Sequence, residues 1–381
     1  MELLHKVKRN YKAQFSDNPL MVKASGRINL IGEHVDYNDG FVFPAAIDKG
    51  IIVAIGRNED SCCHATALDF EETYRFGLDE VSKQNNGGWR NYLLGIIHEL
   101  QKRTLPIGNF NMVFAGDIPA GSGLSSSAAL ENGIVFAINT LFNLGLRREE
   151  MVKISQKAEH EFVGVQCGIM DQYASMFGKK DNFLLLDCKS LDVVSYESDF
   201  DSYELVLINT NVQHTLSDSA YNDRRNVCEK ISSMLGKKAL RDVSEEELTT
   251  LTGRITLADY QKAQFVIQEI QRTQRAAICL ENKDMAGLGN LLFSSHEGLS
   301  KKYQVSCDEL DFLVDMARED NGVIGARMMG GGFGGCTINL VKKGEGQNYI
   351  EKVEMAYKNK FGVTCSVYHV SISDGTYLLK E

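Results

Sequence analysis

The sequence predicts a two-domain α+β protein, and three observations carry that reading. At 381 residues the chain exceeds the usual size of one domain. Its first part mixes strand-like and helical segments around one glycine- and serine-rich loop, residues 116–129. Its last part places strand, helix and strand after a long helical block, the order of an α+β unit.

Residues 1–20 carry Lys6, Lys8, Arg9 and Lys12 among apolar positions and read as a helix. A strand follows from residue 21, with alternation at Ile28 and Leu30. Residues 41–55 and the segments up to Phe76 read as further strands, and Gly87-Gly88 breaks the chain before a helix over 89–103. An apolar strand, 110–114, enters the glycine–serine loop. A helix leaves it, with Leu130, Ile134, Ala137, Ile138 and Leu141 at helical spacing. A second helix covers about 149–161, and a short one 169–177 after Gly168. Strands are expected at 183–186 and 205–208. The polar stretch between them, 190–202, is the expected boundary, giving domains 1–195 and 196–381. From 217 to about 317 the pattern is helical. The glycine-rich run 325–335 then leads into a strand at 336–341, a helix at 349–361 and a strand at 364–371.

With 43% hydrophobic and 24% charged residues the chain is globular, with a substantial core. A net charge of −10 and the absence of any basic run exclude nucleic acid and acidic membrane surfaces as general partners. Nine scattered cysteines form no CxxC pair and read as reduced thiols. No apolar run is long enough to span a bilayer, so a cytoplasmic protein is expected.

The loop Pro119-Ala120-Gly121-Ser122-Gly123-Leu124-Ser125-Ser126-Ser127-Ala128-Ala129 carries the chemistry. Glycines let a backbone approach a ligand closely, and serines at a helix start leave N–H groups and the positive dipole end facing outward. That combination suits an anion, phosphate first, although a Gly/Ser linker or an ordinary capped helix also fits the pattern. It is not a Walker loop, because Ser122-Gly123 stands where Lys-Ser/Thr is required, and not a dinucleotide fingerprint, because Ser126 holds the third glycine position.

A second dense segment packs Glu33, His34, Asp36, Asn38 and Asp39 between Gly32 and Gly40. Carboxylates and amides at that density complement sugar hydroxyls, which both donate and accept. A solvated turn accounts for the pattern equally well. A calcium loop does not, since Ile47 stands where the closing glutamate belongs. Asp171, at the start of the short helix, is suited to act as a base or to hold a cation, although an ordinary first-turn acid also explains it. Glu159 sits late in a helix, where a cation partner would help, although a solvated Glu is common there. His34 and His160 have no metal-ligand spacing, and Tyr221 reads equally as a core aromatic.

Residues 119–129 resemble the phosphate-binding motif of the GHMP small-molecule kinases throughout, and 330–335 resemble that family's third, glycine-rich motif. Gly26-Arg27-Ile28-Asn29-Leu30-Ile31-Gly32-Glu33-His34-Val35-Asp36-Tyr37-Asn38 is similar to the signature of the galactokinase branch. Cys167-Gly168-Ile169-Met170-Asp171-Gln172 is similar to the segment carrying that family's catalytic aspartate. Val35 stands where the family usually has Thr, and Asp39 where a small residue is common.

The resemblance implies an N-terminal mixed-sheet domain, ribosomal protein S5 domain 2-like, and a C-terminal ferredoxin-like α+β domain, with the active site between them. It implies transfer of the ATP γ-phosphate to the anomeric hydroxyl of α-D-galactose. Asp171 is then the base and Arg27 the residue that stabilises charge and orients it. Glu33, His34, Val35, Asp36, Gly168 and Tyr221 form the sugar site. Gly121, Ser122, Gly123, Leu124, Ser125, Ser126 and Ser127 cradle the nucleotide phosphates, and Ser127 with Glu159 positions Mg2+. The expected partners are the sugar and ATP, with the chain a monomer or weak dimer. Two alternatives stay open: a kinase of N-acetylgalactosamine or a related sugar, and a non-catalytic regulator that binds galactose and ATP. Asp171, Arg27 and the uninterrupted Ser125-Ser126-Ser127-Ala128-Ala129 argue against the regulator.

Overall fold

A computed structural model of the chain describes residues 2–15, 18–198, 200, 202–213 and 217–380. Helix α1 (Glu2–Gln14) buries Val7 and Tyr11, one turn apart, and leaves its lysines outside. Strand β1 (Leu20–Asn29) runs into the polar segment, which closes in a 3-10 turn at Asp36–Asn38. Then come β2 (Phe41–Val42), β3 (Pro44–Arg57), β4 (Cys63–Ala67), β5 (Glu72–Phe76), α2 (Trp89–Lys102) and β6 (Phe110–Gly116). Helix α3 (Ser126–Phe142) leaves the glycine–serine loop. It is followed by α4 (Arg148–Ala158), a π turn at Glu159–Val163 and α5 (Met170–Phe177).

Strands β13 (Tyr377–Leu378), β1, β3, β6, β4 and β5 make one six-stranded sheet in that order. It is mixed, because β4 and β6 pair in parallel while the other neighbours are antiparallel. Side chains alternate across it. Met21, Ile52, Ala54, Val113 and Ala115 pack under α1, while Val22, Val53, Ile55, Met112 and Phe114 meet the core shared with α2 to α5.

Strands β7 (Asn182–Asp187) and β8 (Val193–Glu197) form a three-stranded sheet with β2. The polar stretch 190–202 therefore contains a strand that its sequence does not announce, since β8 is an exposed edge. Strand β9 (Tyr203–Gln213) opens the second half, and α6 (Ser217–Met234), α7 (Glu245–Thr249), α8 (Leu257–Glu281), α9 (Met285–Glu297) and α10 (Asp308–Glu319) form the helical block. Strands β10 (Val323–Met328) and β11 (Gly334–Lys342), helix α11 (Gly346–Phe361) and strand β12 (Ser366–Tyr368) complete it. All pairs in this sheet are antiparallel and its order is β10-β11-β9-β12. Counted in chain order the strands run fourth, first, third, second, the ferredoxin-like arrangement. Among the described residues no helix is long and apolar enough to cross a membrane.

Candidate active site

A β-bulge begins the site. The β1–β3 register shifts between Ser25 and Arg27, and Gly26 lies so close to the loop that an added Cβ would sit 2.8 Å from the Leu124 carbonyl oxygen. A bulge re-aims the side chain beside it, and Arg27 turns to α5. Its Nε donates to Asp171 Oδ1 and its Nη2 to Asp171 Oδ2, both at 2.8 Å. This two-point fork fixes the carboxylate in plane as well as in distance. Arg27 Nη1 donates to the Gly123 carbonyl, and Arg27 N to the Leu124 carbonyl at 3.1 Å. Burial works against the Arg27 charge. The carboxylates of Asp171, Glu33 and Asp36 outweigh it, so the Arg27 pKa is raised.

Ser125 donates its hydroxyl to Asp171 Oδ2. It also caps α3 in the left-handed region at φ 58°, and its side chain makes no cap bond. The opening N–H groups of α3 are thus left without a side-chain cap, which is what an anion at a helix start requires. Ser122 donates its hydroxyl to the Pro119 carbonyl at 2.7 Å and Leu124 is buried in the core, so these two shape the loop. Gly330 packs against Gly123, where a Cβ on Gly330 would lie 3.3 Å from the Gly123 oxygen. The two glycine loops meet backbone to backbone around a hollow of about 150 Å³.

Beside Asp171 a smaller cavity, about 50 Å³, is lined by Arg27, Glu33, His34, Asp36, Cys167, Met170, Tyr221 and the 330–331 backbone. Asp36 is buried and accepts backbone bonds from Tyr37 and Met170. Burial, then the nearby Asp171 charge, pushes its pKa up to about 7. Gly168 faces it, and a Cβ there would stand 2.0 Å from the Asp36 carboxylate. His34 Nε2 donates to the Gly331 carbonyl at 3.2 Å, so Nδ1 must accept from the Tyr37 hydroxyl at 2.9 Å. Burial holds the His34 pKa down at about 3, so the ring is neutral. The Tyr221 ring stands 5.2 Å from His34. Val35 is not part of this lining. It is fully buried in the core, and its carbonyl accepts from Asn38 and Gly40.

Glu159 starts the π turn after α4 and is buried. It accepts from Gln172 at 2.7 Å, from Cys167 at 3.4 Å and from Ser127. Burial, then Asp171, raises its pKa to about 7. Gln172 also donates to Glu131, which is fully buried with one oxygen unpartnered. His160 donates from Nε2 to the Cys167 carbonyl at 2.8 Å and takes a structural place. The structure therefore gathers the expected residues around Asp171 and the 121–127 loop, but it puts the side chains of Val35 and Leu124 in the core and turns the Ser122 hydroxyl to Pro119. It adds Glu131, Gln172 and Arg327, which the sequence pattern did not single out. The signal available was weak: one acid on the apolar face of α3, one amide on the buried face of α5, and one arginine in an apolar strand.

Three family descriptions match the chain. The galactokinase galactose-binding signature covers residues 9–57, the GHMP kinases N terminal domain 91–179, and the GHMP kinases C terminal region 276–359. A galactokinase of Thermotoga petrophila is 41% identical over 356 residues, 93% of this chain and 99% of its own. The chain belongs to the galactokinase family. It is a sugar kinase, and the other comparisons agree: a Thermosipho africanus galactokinase is 41% identical over 95% of this chain and 100% of its own. The crystal structure of Lactococcus lactis galactokinase complexed with galactose superposes with a TM-score of 0.94 at 34% identity, covering 99% of this chain and 100% of that one. Methanococcus jannaschii mevalonate kinase, at 19% identity over 94% of this chain and 99% of its own, and TM-score 0.68, shares the fold. The matched segments take in the bulge and the polar segment 32–40, the 119–129 loop with Asp171, and the glycine-rich turn.

Proposed function

We propose that this galactokinase-family chain transfers the γ-phosphate of ATP to the anomeric hydroxyl of α-D-galactose, giving galactose 1-phosphate and ADP. The observation that carries the reading is the Arg27–Asp171 fork, set at the meeting point of the sugar-type cavity and the phosphate-type loop. Asp171 accepts the hydroxyl proton as the new O–P bond forms and the bond to ADP breaks. Arg27 orients that carboxylate and offsets charge on the transferring group. The 121–127 loop and the start of α3 hold the phosphates through N–H groups. Glu33, Asp36, His34 and Tyr221 surround the sugar.

The fit for Mg2+ rests on chemistry at Glu159 and Ser127. Both offer hard oxygen donors, and the buried Glu131 oxygen behind them lacks a partner. Bound there, the ion would neutralise phosphate charge. We divide the chain between β8 and β9, a few residues beyond the expected 195, because β8 pairs with β7 through Glu197 while β9 opens the ferredoxin-like sheet. The enzyme acts as a monomer or weak dimer.

The test is ADP release measured across galactose, N-acetylgalactosamine, glucose and mevalonate. A site built to bond an axial hydroxyl leaves buried acceptors unpaired when that hydroxyl is equatorial, so kcat/KM for galactose should exceed that for glucose by about 10⁴-fold. Comparable values for the two would refute the assignment. Preferred turnover of N-acetylgalactosamine identifies the sister kinase. Binding of galactose and ATP without turnover identifies a regulator.

A further inference from the structure

We propose that Arg327 is the positioning residue of the sugar pocket: it grips Glu33 by one carboxylate oxygen and leaves the other to the sugar. The proposal rests on the galactose reading above. Arg327 lies on β10, 0% exposed, among the largest fully buried side chains. Its Nε donates to the Leu30 carbonyl at 2.8 Å. Nη1 donates to Glu33 Oε1 at 3.2 Å and to the Met328 carbonyl. Nη2 donates to Glu33 Oε1 at 3.2 Å and to the Asn29 carbonyl. A guanidinium has five N–H donors in a fixed plane, and here all five are engaged. Four of them reach residues 29–33, some 300 positions away along the chain, so the plane cannot turn without breaking several bonds.

Glu33 Oε1 accepts a third donor, the Gly330 N–H at 2.8 Å. With three N–H groups on one oxygen, the carboxylate is anchored as an acceptor. Among the described residues Oε2 accepts none, and Glu33 lines the cavity beside Asp171. The neighbouring ligand is tied to the same turn, since His34 Nε2 bonds the Gly331 carbonyl. The glycine-rich turn therefore faces two ways, with its backbone against the phosphate loop at Gly123 and against the sugar ligands at Glu33 and His34. Arg327 sets the distance between them. Lysine cannot do this, because its compact ammonium carries three donors and no planar fork.

The decisive experiment is steady-state kinetics on the full chain with Arg327→Lys, Glu33→Gln and the double variant, alongside thermal unfolding. Arg327→Lys should raise the galactose KM by about 10-fold or more while the ATP KM changes less than about 3-fold. Its effect should be less than additive with Glu33→Gln, because both act through one contact. An unchanged galactose KM, equal rises in both KM values together with a lower Tm, or full additivity would overturn the proposal. Should Arg327→Lys fail to fold, Glu33→Asp replaces it. A carboxylate one methylene shorter must give up either the anchor or the sugar, so the galactose KM rises at constant ATP KM. A wild-type galactose KM in that variant overturns the proposal. A wild-type chain with no galactose-dependent ADP release overturns the galactose reading itself, and the proposal with it.

Discussion

Asp171 is held by the two-point fork of Arg27 and by the Ser125 hydroxyl, with no freedom to reorient. Asp171→Asn keeps the size but cannot take a proton, and it leaves Arg27 with a neutral partner. Turnover should fall by about 10²–10⁴-fold, while galactose binding, which we assign to Glu33, Asp36 and Tyr221, weakens only slightly. Steady-state kinetics beside calorimetric galactose binding checks this, and near-normal turnover would remove Asp171 from the mechanism. Asp36 yields a different prediction. Its carboxyl titrates near 7 in the folded chain against an ordinary 3.8. Between those values the folded state keeps a proton that the unfolded state has released. The stability this group contributes is therefore complete below about pH 4 and is lost as pH rises to about 7, at most about 4 kcal/mol. Glu159 acts in the same direction. Asp36→Asn should flatten the fall in Tm between pH 4 and 7, and a slope equal to wild type would assign the titration to another group.

At the level of elements, the site depends on segments that touch through glycine. The turn before α5 meets the 3-10 turn at Gly168, where a Cβ would be 2.0 Å from the Asp36 carboxylate. Gly168→Ala must push Asp36 aside. The galactose KM should rise by about 10-fold or more, with ATP binding unchanged because the 121–127 loop, to which we assign the phosphates, is not involved. A galactose KM equal to wild type would mean that the turn can yield. The α9–β10 contact is of the same kind: Gly289 and Gly325 pack where a Cβ on Gly289 would be 1.9 Å from the Ile324 oxygen. That close packing seats β10, and with it Arg327, against residues 29–33.

Over the whole molecule, the chain end closes on the sheet that carries Arg27. Strand β13 pairs with β1, the Ser25 hydroxyl donates to the Asp374 carbonyl at 2.7 Å, and the Thr376 hydroxyl donates to the Ser175 carbonyl at 2.9 Å. The Leu379 N–H donates to the Met21 carbonyl at 2.8 Å. Removing residues 376–381 breaks the β13–β1 pairing and the Thr376 and Leu379 bonds, and exposes an edge of the sheet that carries Arg27. At about 1 kcal/mol per hydrogen bond the loss is on the order of 3–4 kcal/mol, measured as a lower denaturant midpoint. An unchanged midpoint would show that the end contributes nothing to the fold.

The sequence alone was enough for whatever depends on neighbours in the chain. The strand–loop–helix around 121–127, the helical block, the short helix carrying Asp171 and the glycine turns all follow from local periodicity and backbone freedom, and the family resemblance placed Arg27 beside Asp171. Tertiary structure alone decided what depends on partners far apart. It made a strand of 193–197 by giving it β7 to pair with, cut the expected 364–371 strand to the three residues that meet β9, and returned β13 to β1. It turned Val35 into the core, sent the Ser125 hydroxyl to Asp171 rather than to its own helix, and placed Arg327 on Glu33. The physical reason is that hydrophobic period and turn chemistry describe a residue's own segment. The direction of a buried polar side chain is set by which acceptors the folded chain brings within about 3 Å of it.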